Sequence, residues 1–144
     1  MKYEIVTLEE KIVAGVMART SNDAPDAMQV IGGLWENFMG KHWMNMENKA
    51  NAHSIGLYSD YDETSYDVTI GCEVTKNDPN LTNKIIPAGK YAKFSFRGDV
   101  VKAVQDAWNE IWEMPLDRSF AADFEEYLSH EDGIADINIY IALK

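Results

Sequence analysis

Two stretches of this chain carry the same signature at the same spacing. In the first, Tyr58 is followed nine positions later by Asp67-Val68-Thr69-Ile70. In the second, Tyr127 is followed nine positions later by Asp136-Ile137-Asn138-Ile139. Upstream of each tyrosine lies an amphipathic stretch with a tryptophan in matching phase, Leu34-Trp35-Glu36-Asn37-Phe38 and Ala107-Trp108-Asn109-Glu110-Ile111. A unit written twice constrains the fold more than any single motif does. Two such copies meet about a pseudo-two-fold axis, and the seam between them is a natural place for a ligand groove. The copies differ chemically at that seam, because the second carries Glu125 where the first carries Gly56.

Each copy reads as strand, helix, strand, strand. Residues 3–9 and 11–19 are Ile- and Val-rich and read as two strands. Ser21-Asn22-Asp23-Ala24-Pro25-Asp26 is a turn that leads into a helix, with Ser21 or Asp23 as N-cap and Pro25 in the first turn. Met28, Ile31, Leu34, Trp35, Phe38 and Met39 then recur at three- and four-residue steps, which places them on one helical face. Gly32-Gly33 weakens that helix and leaves room for close packing. The polar, Met-rich stretch 41–51 contains Trp43 and reads as a loop that covers the groove. Residues 54–60 and 66–74 form a hairpin, and 75–83 is a polar connector between the copies. In the second copy Pro87-Ala88-Gly89 is a bend before a strand over 90–96. Asp99 caps a helix over 100–113 whose apolar set is Val101, Val104, Ala107, Trp108, Ile111 and Trp112, and Met114-Pro115 ends it. Residues 123–128 and 134–143 close the chain as a hairpin. The expected fold is α+β: tandem duplicated strand-helix-strand-strand units, spanning about 1–76 and 84–144 of a single domain over 1–144. These units share an antiparallel sheet with two main helices and a groove between the copies.

Composition narrows the function. At 144 residues and 46% hydrophobic, the chain is long and apolar enough for a single core. It has no run of about 18 apolar residues, so no membrane span is expected. Its first residues enter a strand pattern without the apolar core of a secretory signal. Cys72 is the only cysteine, which excludes an internal disulfide and fits a reducing, cytoplasmic setting. The net charge of −11, with scattered lysines and arginines, opposes direct nucleic-acid binding. The same acidity serves solubility, or a modest attraction for cationic small molecules. His42, His53 and His130 show no ligand spacing with one another or with Cys72, so no metal is expected. No glycine-rich phosphate loop follows a strand, and no cofactor is expected.

Strand alternation puts Asp123, Glu125 and Tyr127 on one face and Phe124, Glu126 and Leu128 on the other. In the last strand Ile137, Ile139 and Ile141 share a core face. Tyr140 on the opposite face is then free to line a cavity beside Glu125. A carboxylate among aromatic rings suits an amphipathic cation: the ring faces attract it, and the desolvated acid is its counter-charge. The same group suits acid–base work, with Glu125 activating water and a tyrosine donating or positioning. The competing readings are structural. By composition alone Glu125 reads first as a surface glutamate, Trp35 and Trp108 as core packing, and Tyr58 as either strand packing or groove wall. Phe38 lies on the apolar helix face, and Trp43 is the better lid residue.

The segment Ile86-Pro87-Ala88-Gly89-Lys90-Tyr91-Ala92-Lys93-Phe94, then Gly98, residues 108–112, Asp123-Phe124-Glu125-Glu126-Tyr127 and Asp136-Ile137-Asn138-Ile139-Tyr140-Ile141 resembles the GyrI-like family. This family is the effector-binding or multidrug-binding domain of bacterial transcription activators. The resemblance is strongest over 84–144 and fainter through the first copy. It implies a groove for hydrophobic, often cationic, compounds, with the acid at its floor on Glu125 and aromatic companions on Tyr127 and Tyr140. Tyr58, Trp35, Trp108, Phe38 and Trp43 complete the candidate ligand-binding set. The chain looks like a stand-alone member, because its first residues already belong to the ligand-binding unit. Such members sense, sequester or protect against drugs and toxins. The alternative is a hydrolase that detoxifies cyclopropane-bearing DNA-alkylating natural products, with Glu125 as general base and Tyr140 as its companion. A protein partner such as DNA gyrase or a separate regulator is a third reading, and a monomer is the simplest assembly.

Overall fold

A computed structural model describes residues 1–144. The elements run β1 (Glu4–Leu8), β2 (Lys11–Ser21), α1 (Ala27–Asn37), β3 (Ser54–Ser59), β4 (Ser65–Val74), β5 (Thr82–Ile86), β6 (Gly89–Asp99), α2 (Lys102–Glu113), β7 (Arg118–Tyr127) and β8 (Ile134–Leu143). All eight strands form one sheet in the order β1-β6-β8-β7-β3-β4-β2-β5, and every pairing is antiparallel. The chain is an α+β fold, as the periodicity indicates.

The order is mirrored about one seam. On one side stand β3, β4 and β2; on the other stand β7, β8 and β6. Each set of three is interrupted by its helix at the same point, after the strand farthest from the seam. In each half the middle strand is the most buried. Residues 66–72 of β4 and 137–142 of β8 are buried without a break, because strands flank them and both faces are covered.

One face of the sheet carries the helices. Val104, Ala107, Trp108 and Ile111 of α2 pack on Phe94, Ile137, Ile139 and Ile141. Val68, Ile70 and Cys72 meet Phe38, with Leu34 and Trp35 partly buried above them. The other face is closed by curling. β5 and β6 sit near opposite ends of the strand order yet are consecutive in the chain, separated only by Pro87-Ala88. So short a link forces the ends together, and Ile86 and Tyr91 join Val13, Ile55, Leu57 and Phe124 in one core.

Several expectations shift by a few residues. β5 begins at Thr82, so the last part of the expected connector is strand. β7 begins at Arg118, with a register irregularity before Asp123 that hides it from simple alternation. The expected loop over 41–51 begins as helix instead, because a π-turn over Phe38–His42 and a 3-10 turn over Trp43–Asn45 extend α1. Neither Ser21 nor Asp23 caps α1; Asp26 holds that position without a side-chain bond. A Cβ built on Gly32 or Gly33 would meet nothing within 4 Å, so neither glycine mediates close packing.

The helices are anchored unequally. Asp99 Oδ1 accepts from the backbone N–H groups of Val101 and Lys102 at 2.9 and 2.7 Å. These bonds hold its carboxyl below the usual range. α1 has no such cap and no fully buried residue. A depressed carboxyl contributes stability above its unfolded value and loses it as pH falls through the folded one. Asp99→Ala therefore lowers the urea midpoint at neutral pH, Asp99→Asn retains most of it, and the deficit of the alanine variant shrinks on acidification.

Candidate functional site

The seam is the antiparallel pair β3–β7, whose register sets Ser54 opposite Tyr127, Gly56 opposite Glu125 and Tyr58 opposite Asp123. Tyr58 and Tyr127 are matching positions, so two residues earlier Gly56 and Glu125 are matching positions as well. They are also direct cross-strand partners. The local pseudo-two-fold axis therefore runs between Gly56 and Glu125, and only a residue pair on the axis faces its own counterpart.

That placement explains the chemical difference between the copies. A Cβ built on Gly56 would lie 3.0 Å from Glu125 Oε1, so the carboxylate occupies space that a bare backbone leaves. A glutamate on both sides would crowd two acids at one point out of water, which drives one to remain protonated.

Three donors converge on the single acid. Trp108 Nε1 donates to Glu125 Oε2 at 2.7 Å, Tyr58 Oη donates to Oε2 at 3.0 Å, and Tyr127 Oη donates to Oε1 at 2.8 Å. The rings are laced across the seam. Trp35 of the first half meets Tyr127 of the second edge-on at 5.1 Å, and Trp108 of the second meets Tyr58 of the first edge-on at 5.6 Å. Each helix thus delivers its tryptophan to the tyrosine of the opposite half.

Glu125 is 3% exposed. Loss of water raises its pKa, and the three hydrogen bonds from Trp108, Tyr127 and Tyr58 offset only part of that rise. Loss of water, followed by the nearby carboxylate, pushes both tyrosine hydroxyls well above their ordinary value. They remain protonated donors at any physiological pH.

Above the carboxylate lies a groove of about 640 Å³ between α1 and α2. Met28, Ile31, Trp35 and Met39 line it from the α1 side, and Val104 and Trp108 from α2. Glu125, Tyr58 and Tyr127 form part of its lining, and Trp43 stands at its wall. Its titratable side chains other than the tyrosines are Glu36, Glu125 and His130, so no lysine or arginine lines it. Gly32 presents bare helix backbone to the groove.

The structure brings together Glu125, Tyr127, Tyr58, Trp35, Trp108 and Trp43 from the candidate set. It does not bring Tyr140 or Phe38. Residues directly opposite on antiparallel strands point to the same face, and the β7–β8 register pairs Glu125 with Ile139 and Phe124 with Tyr140. The isoleucine face is therefore the face of Glu125. Tyr140 lies on the reverse side, stacked on Phe124 at 4.5 Å, with its hydroxyl 3.5 Å from Glu126 Oε1. Phe38 is fully buried beneath α1, edge-on to Trp43 at 6.0 Å, and does not line the groove. Val101 and Trp112, expected in the core, are 61% and 48% exposed. Cys72 is buried in β4, where burial pushes its thiol up to about 11, so it carries no thiolate at neutral pH.

Sequence reasoning missed a second cavity beside the groove, lined in part by Tyr61, Arg118 and Phe120. The only signal was the pair of aromatics at the turn after β3 and in the irregular start of β7.

No curated protein matches the chain by sequence. Among solved structures, an integron cassette protein from the mobile metagenome of Vibrio cholerae is 29% identical, with TM-score 0.81 over 99% of this chain and 95% of that one. SAV2435, solved bound to tetraphenylphosphonium, is 20% identical with TM-score 0.82, over 100% of this chain and 94% of that one. A hydrolase encoded by lin2189 from Listeria innocua is more distant, at 10% identity and TM-score 0.51 over 99% of this chain and 92% of that one. At 20% and 10% identity these two likenesses show the fold. The match that covers residues 1–144 from end to end is to the GyrI-like small molecule binding domain, and the chain belongs to that family.

Proposed function

We propose that the groove captures organic cations with aromatic or other apolar substituents, and that Glu125 is their counter-charge. The observation that carries this reading is a buried carboxylate held by three neutral donors, with no cationic side chain lining the groove beside it. A buried charge without a partner is costly and is retained where something else supplies the partner. The rings of Trp35, Tyr58, Trp108 and Tyr127 offer faces that attract a soft cation without demanding a hydrogen bond from it. Tetraphenylphosphonium, the ligand of SAV2435, has that chemistry: a delocalised charge wrapped in rings. The net charge of −11 adds a long-range pull on cations. Drug or toxin sensing and sequestration both follow from such capture.

Hydrolysis of a bound electrophile is the second reading. It draws on the same raised carboxylate, a stronger base than a surface glutamate. Tyr140 has no part in it, being on the reverse face. Mass spectrometry for addition of water to a cyclopropane-bearing alkylator separates the readings: hydrated product that disappears in Glu125→Gln favours the enzyme, and unchanged compound favours capture.

Tryptophan-fluorescence titration tests the capture reading. Tetraphenylphosphonium binds the native chain, and Glu125→Gln weakens it by about tenfold or more, equivalent to roughly 1.4 kcal/mol. Equal affinity in the two proteins overturns the role of Glu125. A cation favours the ionised acid and so lowers its pKa on binding. Affinity is therefore highest above the raised pKa of the free protein, falls as pH drops through it, and binding releases protons. Calorimetry in two buffers of different ionisation enthalpy measures that release.

The same acid has a signature without ligand. A carboxyl whose folded pKa is raised contributes stability below its unfolded value and loses it as pH rises through the folded one. Glu125→Gln, which cannot ionise, therefore melts higher than the native chain at pH 7, by roughly 3–5 °C for a gain near 1 kcal/mol. The difference shrinks in acid, where both side chains are neutral.

A further inference from the structure

Past Tyr58 and Trp108 the groove adjoins a larger cavity of about 1190 Å³. The two spaces share Met28, Ile31, Tyr58, Gln105 and Trp108 as a common wall. Three large apolar side chains meet solvent in the outer space: Met28 at 73%, Phe120 at 50% and Trp112 at 48% exposed. Apolar groups gathered in one hollow, unlike scattered ones, mark a place where something binds.

Phe120 is held there deliberately. Its φ of 59° lies in the left-handed region, which a bulky side chain rarely adopts and only under strain. It stands in the irregular stretch of β7 between Arg118 and Asp123. The Arg118 guanidinium lies over the Phe120 ring at 4.3 Å and donates to Asp123 Oδ2 at 2.6 Å. Tyr61 meets the same ring edge-on at 5.7 Å, and its hydroxyl donates to the same Asp123 oxygen at 2.6 Å. Asp123 is fully buried. One inaccessible carboxylate thus fixes both groups that frame the ring. A strained backbone and two clamped neighbours hold an aromatic ring half in water, which core packing does not require.

The outer cavity offers mainly rings, and its one unpaired charged side chain, Glu63, is exposed to solvent. Arg118 is spent on Asp123, and Asp62 is paired with Arg19 at 3.0 Å. We infer that this cavity is a second subsite, in which Phe120 and Trp112 take an uncharged aromatic arm of the same organic cation whose charge lies beside Glu125. The ligand class is then a cation bearing an apolar arm that ends in an aryl ring. This inference rests on the cation reading of the inner groove.

Two series of quaternary ammonium ions test it: alkyltrimethylammonium, and ω-phenylalkyltrimethylammonium of increasing chain length. Calorimetry on the full chain reads both. The terminal phenyl ring adds about 3- to 10-fold in affinity once the chain is long enough to pass Tyr58 and Trp108, and adds nothing below that length. Phe120→Ala abolishes the gain and leaves the alkyl series unchanged. Phe120→Gly also abolishes it while melting no lower than the native chain, because glycine relieves the left-handed strain. That variant separates loss of the subsite from loss of the fold. The inference is overturned if the phenyl ring brings no gain at any length, or if the gain survives both variants. Binding of the short ions alone removes the subsite and leaves the inner groove standing; binding of none removes both.

Discussion

The register of β3 against β7 is the constraint on which the site depends. It joins the two halves of the sheet and sets Gly56 opposite Glu125. Sliding the pair by one residue would turn the entire side-chain set of one strand to the other face. Glu125 would then enter the apolar core around Leu57 and Phe124, and Phe124 would replace it beneath the helices. The register is secured by the apolar demands of both faces at once, since Leu57 and Phe124 pair directly on the side away from the helices. The position of the acid is therefore set by hydrophobic packing on the reverse face as well as by its own three hydrogen bonds.

Around that fixed point the two helices behave differently. α2 buries Val104, Ala107, Trp108 and Ile111, has its first turn held by Asp99 and carries the indole that bonds the carboxylate. α1 buries none of its residues, lacks a side-chain cap and contains two adjacent glycines with open space beside them. Elements with few buried contacts are those that yield first. The groove is bounded by one firm wall and one lightly held wall, which on the proposed reading lets it take guests of differing size.

The duplicated signature made much of this legible before any coordinate. Tyrosine spacing and tryptophan phase led to the seam, and the Gly56–Glu125 contrast singled out the acid. Alternation in β8 divides the strand into two faces but does not say which of them Glu125 shares. That depends on the pairing of β7 with β8, a non-local fact, and it sent Tyr140 to the wrong side. Helical periodicity likewise placed Phe38 on the right stripe without showing that a π-turn carries it under the helix. The start of β7 was hidden by its irregular register, and with it Phe120.

The off-centre dressing of the axis has a consequence for stoichiometry and orientation. Two near-equivalent halves surround the seam, but only one carries an acid and only one indole bonds to it. Under the proposed capture, a symmetric guest finds no second acid at an equivalent post and an asymmetric one meets two unlike ends, so the two halves impose a direction on what enters.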